Sequence, residues 1–223
     1  NVDVGTMNAT YASTPPTTWI TGQTQTFTVT VTNTGTAIWR ASGTYRVRLG
    51  VYFNGTSDAI GAWPSEPQRV SLPNDVLPGQ SVTLTVAAKA PTAAGTYTLR
   101  MRMVAEWTSW FAPLHKTTVA VQTLAANYTA TIPTSWTRNQ LRTFSVTLTN
   151  TGTATWNATG AYPVRLAYYF DGNSDVAGDW TANPTRINLP SNVAPGQSVT
   201  FNISVRAPAT AGTYTLRLRL VKE

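Results

Sequence analysis

Few side chains in this 223-residue chain could carry proton or metal chemistry: one histidine, His115, nine carboxylates and no cysteine. Glycosidase-type acid/base work needs two carboxylates facing each other at a defined separation. No two of the nine form a pattern that would set up such a pair, and Glu66 has Asn183 at its repeat-related position. His115 reads as a surface loop residue. An enzyme is therefore not expected, and neither is a cofactor. Asp171-Gly-Asn-Ser-Asp175 places the oxygen ligands Asp171, Asn173 and Asp175 at alternate positions, as in the first half of a calcium loop. The glutamate that would close such a loop is absent. A plain Asx-Gly turn between strands accounts for the same residues.

Arginine recurs more regularly. Arg48, Arg100 and Arg102 return as Arg165, Arg217 and Arg219. Strand alternation puts them on one outer sheet face. Such a stripe is a solvated face whose arginine stems cover apolar surface. The alternative is a contact surface for a neighbouring chain or an acidic polymer, such as a cell-envelope polysaccharide. The net charge of +7 comes from scattered arginines, with three lysines and no basic run. No recognition motif accompanies it, so nucleic acid is not an expected partner. No apolar run approaches the ~18–20 residues that span a bilayer. Trp39, Trp63, Trp156 and Trp180 read as core or loop-anchoring residues rather than sugar platforms. Tyr52, Tyr168 and Tyr169 leave an aromatic platform for sugars open.

The elements that hold these residues come in two copies. Trp19 precedes Trp136 by 117 residues, and the same shift carries Asn33 to Asn150, Trp39 to Trp156, Tyr97 to Tyr214 and Glu106 to Glu223. About half of the paired positions are identical without a gap, which marks an internal repeat. Charged residues are 11% of the chain, against about 25% in ordinary globular proteins. Threonine supplies polarity instead and favours strands. Apolar residues alternate with period two in Gln25–Thr32, Tyr45–Phe53, Ser81–Ala87, Thr96–Val104 and Thr117–Gln122. Copy two repeats the pattern in Phe144–Leu148, Tyr162–Phe170, Val199–Val205 and Tyr214–Leu220. Asn-Gly, Pro-Gly and Pro-Asn punctuation separates the runs. The expected fold is all-β: two tandem antiparallel immunoglobulin-like sandwiches, the second lacking its last strand. The expected division is an N-terminal strand at 1–7, a first domain at 8–122, a junction at 123–127 and a second domain at 128–223.

Three runs carry a resemblance: Asn33-Thr-Gly-Thr-Ala-Ile-Trp39, Leu77-Pro-Gly-Gln80 and Ala90-Pro-Thr-Ala-Ala-Gly-Thr-Tyr97. Asn150–Trp156, Ala194–Gln197 and Ala207–Tyr214 match them in copy two. With Trp107-Thr-Ser-Trp-Phe111, their order resembles the four-tryptophan immunoglobulin-like family. That family occurs in autophagy receptors and, in tandem copies, in bacterial secreted proteins. The resemblance implies the sandwich fold, a tyrosine corner at Tyr97 and Tyr214, and an extracellular or cell-surface location.

The register of the repeat is broken at its ends. Copy one continues past Glu106 through Trp107–Gln122, and residues 1–7 align with 118–124, so Val2 and Val4 match Val119 and Val121. A second sandwich without its last strand would expose the edge at 213–221 and open the core beside Leu216, Leu218 and Leu220. A donated strand would close it. The expected function is a structural subunit of an extracellular filament, a head-to-tail homopolymer with Val2 and Val4 as donor and Leu216, Leu218 and Leu220 as acceptor. Two alternatives stand beside it. One is a piece of a longer tandem array. The other is a carbohydrate-binding or spacer module of a secreted polysaccharide-degrading enzyme.

Overall fold

The structure is a computed structural model that describes residues 5–53, 67–170 and 184–223. Among these residues every regular element is a strand. The chain divides into two compact units, Asn1–Gln122 and Thr123–Glu223, each an antiparallel sandwich of the immunoglobulin-like kind.

In unit 1, one sheet has the order β1-β3-β6, formed by Ala9–Ser13, Thr24–Asn33 and Ser81–Lys89. The other has the order β2-β9-β7-β4-β5, formed by Thr18–Ile20, His115–Gln122, Gly95–Ala105, Val47–Phe53 and Gln68–Ser71. The short β8, Ser109–Trp110, pairs with the end of β7. The period-two pattern sends Phe27, Val29 and Val31 inward from β3, and Val47, Leu49 and Val51 from β4. Leu99, Met101 and Met103 of β7 and Val119 and Val121 of β9 complete that core. Each such side chain contributes roughly 1.5–3 kcal/mol by leaving water. The outward threonines bond across strands instead, as Thr30 does with Thr83 and Thr32 with Ser81.

Unit 2 repeats this with β10 (Ala126–Ala130), β11 (Leu141–Asn150) and β14 (Ser198–Arg206) in one sheet. Its second sheet has β12 (Val164–Phe170), β13 (Thr185–Asn188) and β15 (Leu216–Lys222), in the order β13-β12-β15. Among the described residues no strand flanks β15 on the side where β9 flanks β7. Turn chemistry is kept even where residues change. Gly22 (φ 69°) becomes Asn139 (φ 58°), the residue after glycine that best tolerates a left-handed backbone.

The same buried asparagine organises both units. Asn33 Nδ2 donates to the carbonyls of Ala37 and Val76 at 2.9 and 3.0 Å, and its Oδ1 accepts from Gly35 N at 3.0 Å. Asn150 makes the equivalent bonds to Ala154, Val193 and Gly152 at 2.9, 2.9 and 3.0 Å. The glycine in each Asn-Thr-Gly turn is required by close approach. A Cβ on Gly35 would overlap the backbone of Thr6, and one on Gly152 the backbone of Thr123.

That approach revises the expected boundaries. Thr123 is not a free junction residue: its N donates to Thr153 Oγ1, and its carbonyl accepts from Thr153 N and Ala154 N. Leu124 packs on the unit 2 core and β10 starts at Ala126. The expected junction at 123–127 therefore belongs to unit 2. Thr6 makes the matching bonds to Thr36 and Ala37, and Met7 packs on the unit 1 core. The chain enters both units by one motif.

Candidate functional site

The candidate site is the open flank of β15. In unit 1 the corresponding flank of β7 is covered twice over. β9 pairs antiparallel with it from Gly95↔Val121 to Met101↔His115, and Phe111 N donates to Met103 O at 2.9 Å. Phe111 is fully buried with its ring 5.6 Å from that of Trp39. Neither cover has a counterpart among the described residues of unit 2.

The consequences run along the whole strand. Leu99, Met101 and Met103 are fully buried, but Leu216, Leu218 and Leu220 at the matching positions are only half-buried. β4 pairs with residues 99–105 of β7, whereas among the described residues Gly95–Thr98 pair with β9 alone. Without that partner the equivalent residues 212–215 form no strand, so β15 has 7 residues where β7 has 11. The expected edge at 213–221 is thus shortened at its start. β2 exists because Trp19 pairs in parallel with Val121. Residues 135–137 have no such partner and form no strand either.

Two grooves result. The near half, of about 690 Å³, is lined by Trp136, Phe170, Gly212, Tyr214 and Leu216. Trp136 stacks edge-on against Phe144 and Phe170, as Trp19 does on Phe27 and Phe53, but it is half-buried where Trp19 is fully buried. The far half, of about 550 Å³, is lined by Leu124, Tyr128, Trp156, Leu218 and Leu220 among others. Tyr128 shows the opening at one atom. Tyr11 Oη accepts from Met103 N and donates to Pro113 O, whereas Tyr128 Oη accepts from Leu220 N at 2.9 Å with none of the described residues standing where Pro113 does. Desolvation pushes the Tyr11 phenol up to about 12, against smaller opposing effects from the Met103 hydrogen bond and Arg102. Desolvation raises Tyr128 as well.

The expected acceptor residues Leu216, Leu218 and Leu220 do line this flank. In unit 1 Val119 and Val121 pair with Tyr97 and Gly95, whose counterparts Tyr214 and Gly212 lie in the near half. Thr117 and His115 face the counterparts of Leu216 and Leu218. Val2 and Val4 themselves lie outside the described residues, as do Trp63, Trp180, Glu66 and the calcium candidates Asp171, Asn173 and Asp175. Among the described residues no three histidine or carboxylate side chains come together as a metal site.

The arginine stripe differs from expectation in unit 1. Arg100 and Arg102 are 6% and 3% exposed, and Arg102 Nη2 donates to the carbonyl of Ala112. Arg48 and Arg69 converge on Glu106 at 3.8 and 3.0 Å, and Arg69 lies 4.7 Å over the Trp110 ring. The chain after β7 folds back across this face, so most of the stripe is interior there rather than a solvated or contact surface. In unit 2, Arg165 and Arg186 meet Glu223 at 3.5 and 2.8 Å, and Arg217 and Arg219 are half-buried. Trp39 and Trp156 are core residues, while Tyr52, Tyr168 and Tyr169 are half-buried. His115 is half-buried, and desolvation lowers its pKa. Among the described residues the most exposed indole is Trp107, which the alternation pattern does not mark as a surface residue. It is 85% exposed at a left-handed φ of 61°, in the β7–β8 turn. Its signal was its place between two short strand runs.

No family model and no curated protein matches the chain. Among solved structures it is similar to a chaperone–tip adhesin complex described as vital for synergistic activation of CFA/I fimbriae biogenesis, at 13% identity over 91% of this chain and 100% of that one, TM-score 0.26. It is similar to the class 5 fimbriae chaperone CfaA at 13% identity, over 94% of this chain and 99% of that one, TM-score 0.25. It is also similar to the Yersinia pseudotuberculosis adhesin InvE at 14% identity, over 98% of this chain and 55% of that one, TM-score 0.27. Likeness at this level is silent on what the chain does; the open flank of β15 is the feature that bears on function.

Proposed function

We propose that this protein is a non-enzymatic structural protein of the extracellular space or cell surface, whose copies join head to tail by strand donation. Of the donor segment 1–7, the residues before Thr6 in one copy would lie along the near half of the β15 flank of the next, with Val2 and Val4 toward Tyr214 and Gly212, while Thr6 and Met7 stay on their own unit 1. The observation that supports this most is the shared entry motif. Thr6 and Thr123 make the same bonds to Thr36 and Thr153, and the residues just before Thr123 are the β9 strand that fills the unit 1 flank. Residues just before Thr6 carry the same valine alternation. Donation at this site makes a heterologous contact that repeats without closing. The resemblance to tandem four-tryptophan immunoglobulin-like domains of secreted bacterial proteins agrees with an exported location.

The test is size-exclusion chromatography and electron microscopy of the full chain beside a Val2→Asp/Val4→Asp variant. The parent chain is expected to give concentration-dependent oligomers and filaments, and the variant monomers. Monodisperse monomers from both would overturn strand donation between copies. A second reading, a carbohydrate-binding module, has Trp107 in its favour, since an exposed indole at a left-handed backbone angle is costly to keep. Retention on a glycan panel that disappears with Trp107→Ala is its signature.

A further inference from the structure

The β7–β8 turn of unit 1 borders a groove of about 510 Å³, lined by Arg46, Arg48, Arg69, Glu106, Trp107 and Trp110 among others. These residues all belong to unit 1, so the groove owes nothing to the β15 flank. We propose that it binds a uronic-acid residue of an anionic polysaccharide, with the carboxylate on Arg46 and Arg48 and the face of the pyranose ring on Trp107. The site takes up the carbohydrate reading of Trp107, on which it rests, and is independent of strand donation.

Local structure brings the groups together. Arg46 and Arg48 lie two residues apart at the start of β4 and so share a face. Arg69 of β5 pairs with Gly50, the next residue on that face. The turn is tied to Arg46, whose carbonyl accepts from Glu106 N at 3.0 Å. Gly50 sets the floor, since a Cβ there would come within 2.6 Å of the Trp110 indole. Arg69 is held within the protein: its Nε donates to Glu106 Oε1 at 3.0 Å, and its guanidinium lies 4.7 Å over the Trp110 ring. Arg48 stands 3.8 Å from the same oxygen, beyond hydrogen-bond reach, and its buried Nε has no partner among the described residues. Arg46 Nη1 donates to Gly43 O at 3.2 Å, but its buried Nε likewise has no partner among them.

Three guanidiniums thus share one carboxylate, and Arg46 and Arg48 are half-buried with bonds to water given up and not regained. A ligand carboxylate supplies both the missing charge and the missing acceptors, with the planar geometry that suits a guanidinium. Charge alone fits an acidic peptide as well; Trp107 favours the sugar. Its indole is 85% exposed at a left-handed φ of 61°, a strain that burial does not offset. A flat aromatic face beside a carboxylate site fits the C–H face of a pyranose, and an acidic side chain has no ring to lay on it. The groove falls within the range of about 300–1,000 Å³ in which small ligands bind. Unit 2 keeps Arg165, Arg186 and Glu223 in the places of Arg48, Arg69 and Glu106, but has Pro163 for Arg46 and Ala167 for Gly50. The shared ion cluster is scaffold; the added arginine and the glycine floor are features of unit 1.

The experiment is isothermal titration calorimetry of the full chain with oligogalacturonate, oligoalginate, methyl-esterified oligogalacturonate and a short glutamate peptide. At least one of the two uronate oligomers is expected to bind. Esterification keeps the rings and removes the charge, and should weaken binding roughly 10-fold. Trp107→Ala and Arg46→Gln should each weaken uronate binding by roughly 10-fold too, while Lys89→Gln, an equal loss of charge on exposed β6, leaves it unchanged. Uronate binding that survives Trp107→Ala, or that falls as far with Lys89→Gln as with Arg46→Gln, overturns the site. Equal binding of the esterified oligomer overturns the acidic ligand and leaves a neutral-sugar module standing. Equal binding of the glutamate peptide overturns the sugar in favour of an acidic peptide. If neither uronate oligomer binds, the inference falls, and the glycan panel decides the carbohydrate reading by itself.

Discussion

Units 1 and 2 share their turns, their buried asparagine, their aromatic corner and about half of their residues, as internal repeats do. Among the described residues unit 1 has three strands that unit 2 does not, β2, β8 and β9, and the phenylalanine that leads into β9. That difference takes Leu216, Leu218 and Leu220 out of the fully buried state of Leu99, Met101 and Met103. It also removes secondary structure from residues 135–137 and 212–215. The comparison teaches that strand structure at a sandwich edge depends on its neighbour: the segments on both sides of β9 are strands, and their counterparts, with no such neighbour among the described residues, are not. The difference also leaves β15 an apolar strand with no flanking strand on that side among the described residues, a feature natural sheets avoid unless a partner covers it.

Converting unit 1 toward unit 2 is the most severe way to probe this. Phe111→Ala should destabilise unit 1 by about 3–5 kcal/mol, the usual cost of truncating a buried phenylalanine. Urea denaturation combined with hydrogen exchange should show β7 and β9 losing protection while β15 is unchanged. If unit 1 loses less than ~1 kcal/mol, the flank does not depend on its aromatic cover.

The two tyrosines give an effect of intermediate size. Tyr11 has its folded pKa raised to about 12 from 10. The folded state therefore holds this proton more tightly than the unfolded state. The resulting stability is complete below pH 10 and is lost as pH rises through 12. Its full size is on the order of 2–3 kcal/mol. Tyr128 is raised in the same direction, in a more open site. Alkaline denaturation is expected to open unit 1 over this window, and Tyr11→Phe should flatten the dependence more than Tyr128→Phe does. Equal effects from the two variants would contradict the difference in cover.

The smallest difference is expected where the units are alike. Asn33→Ala and Asn150→Ala each remove one hydrogen bond from two carbonyls and one from a buried N–H, costing about 1–3 kcal/mol. The two losses should agree within about 0.5 kcal/mol by thermal or urea denaturation of each variant. A clear inequality would show that the missing strand weakens unit 2 as far as its Asn-Thr-Gly turn.

Much of this was legible in the chain. Alternation in Gln25–Thr32 and its copy located β3 and β11, because period two is a local property of a strand with one wet face. Asn33-Thr-Gly and Asn150-Thr-Gly marked the turns, and the 117-residue shift exposed the unmatched segment. The site was half legible. Leu216, Leu218 and Leu220 line the flank as expected. That Tyr214 and Gly212 match the partners of Val119 and Val121 required the pairing seen in unit 1. The arginines were misread because alternation gives the face of a side chain but not what lies on top of it. Arg100 and Arg102 point outward from their strand and are still buried, under chain that returns from β8.

Sequence alone determined the alternating runs of β3, β4, β6, β7 and β9, the duplication and the register between copies, since each follows from residue type and spacing along the chain. The tertiary structure alone decided which of two matching residues is covered. Leu99 and Leu216, Trp19 and Trp136, and Gly50 and Ala167 occupy matching places in their repeats. Their burial, and the space beside them, is set by a strand distant in the chain, and solvent exposure is a property of that neighbour as much as of the residue itself.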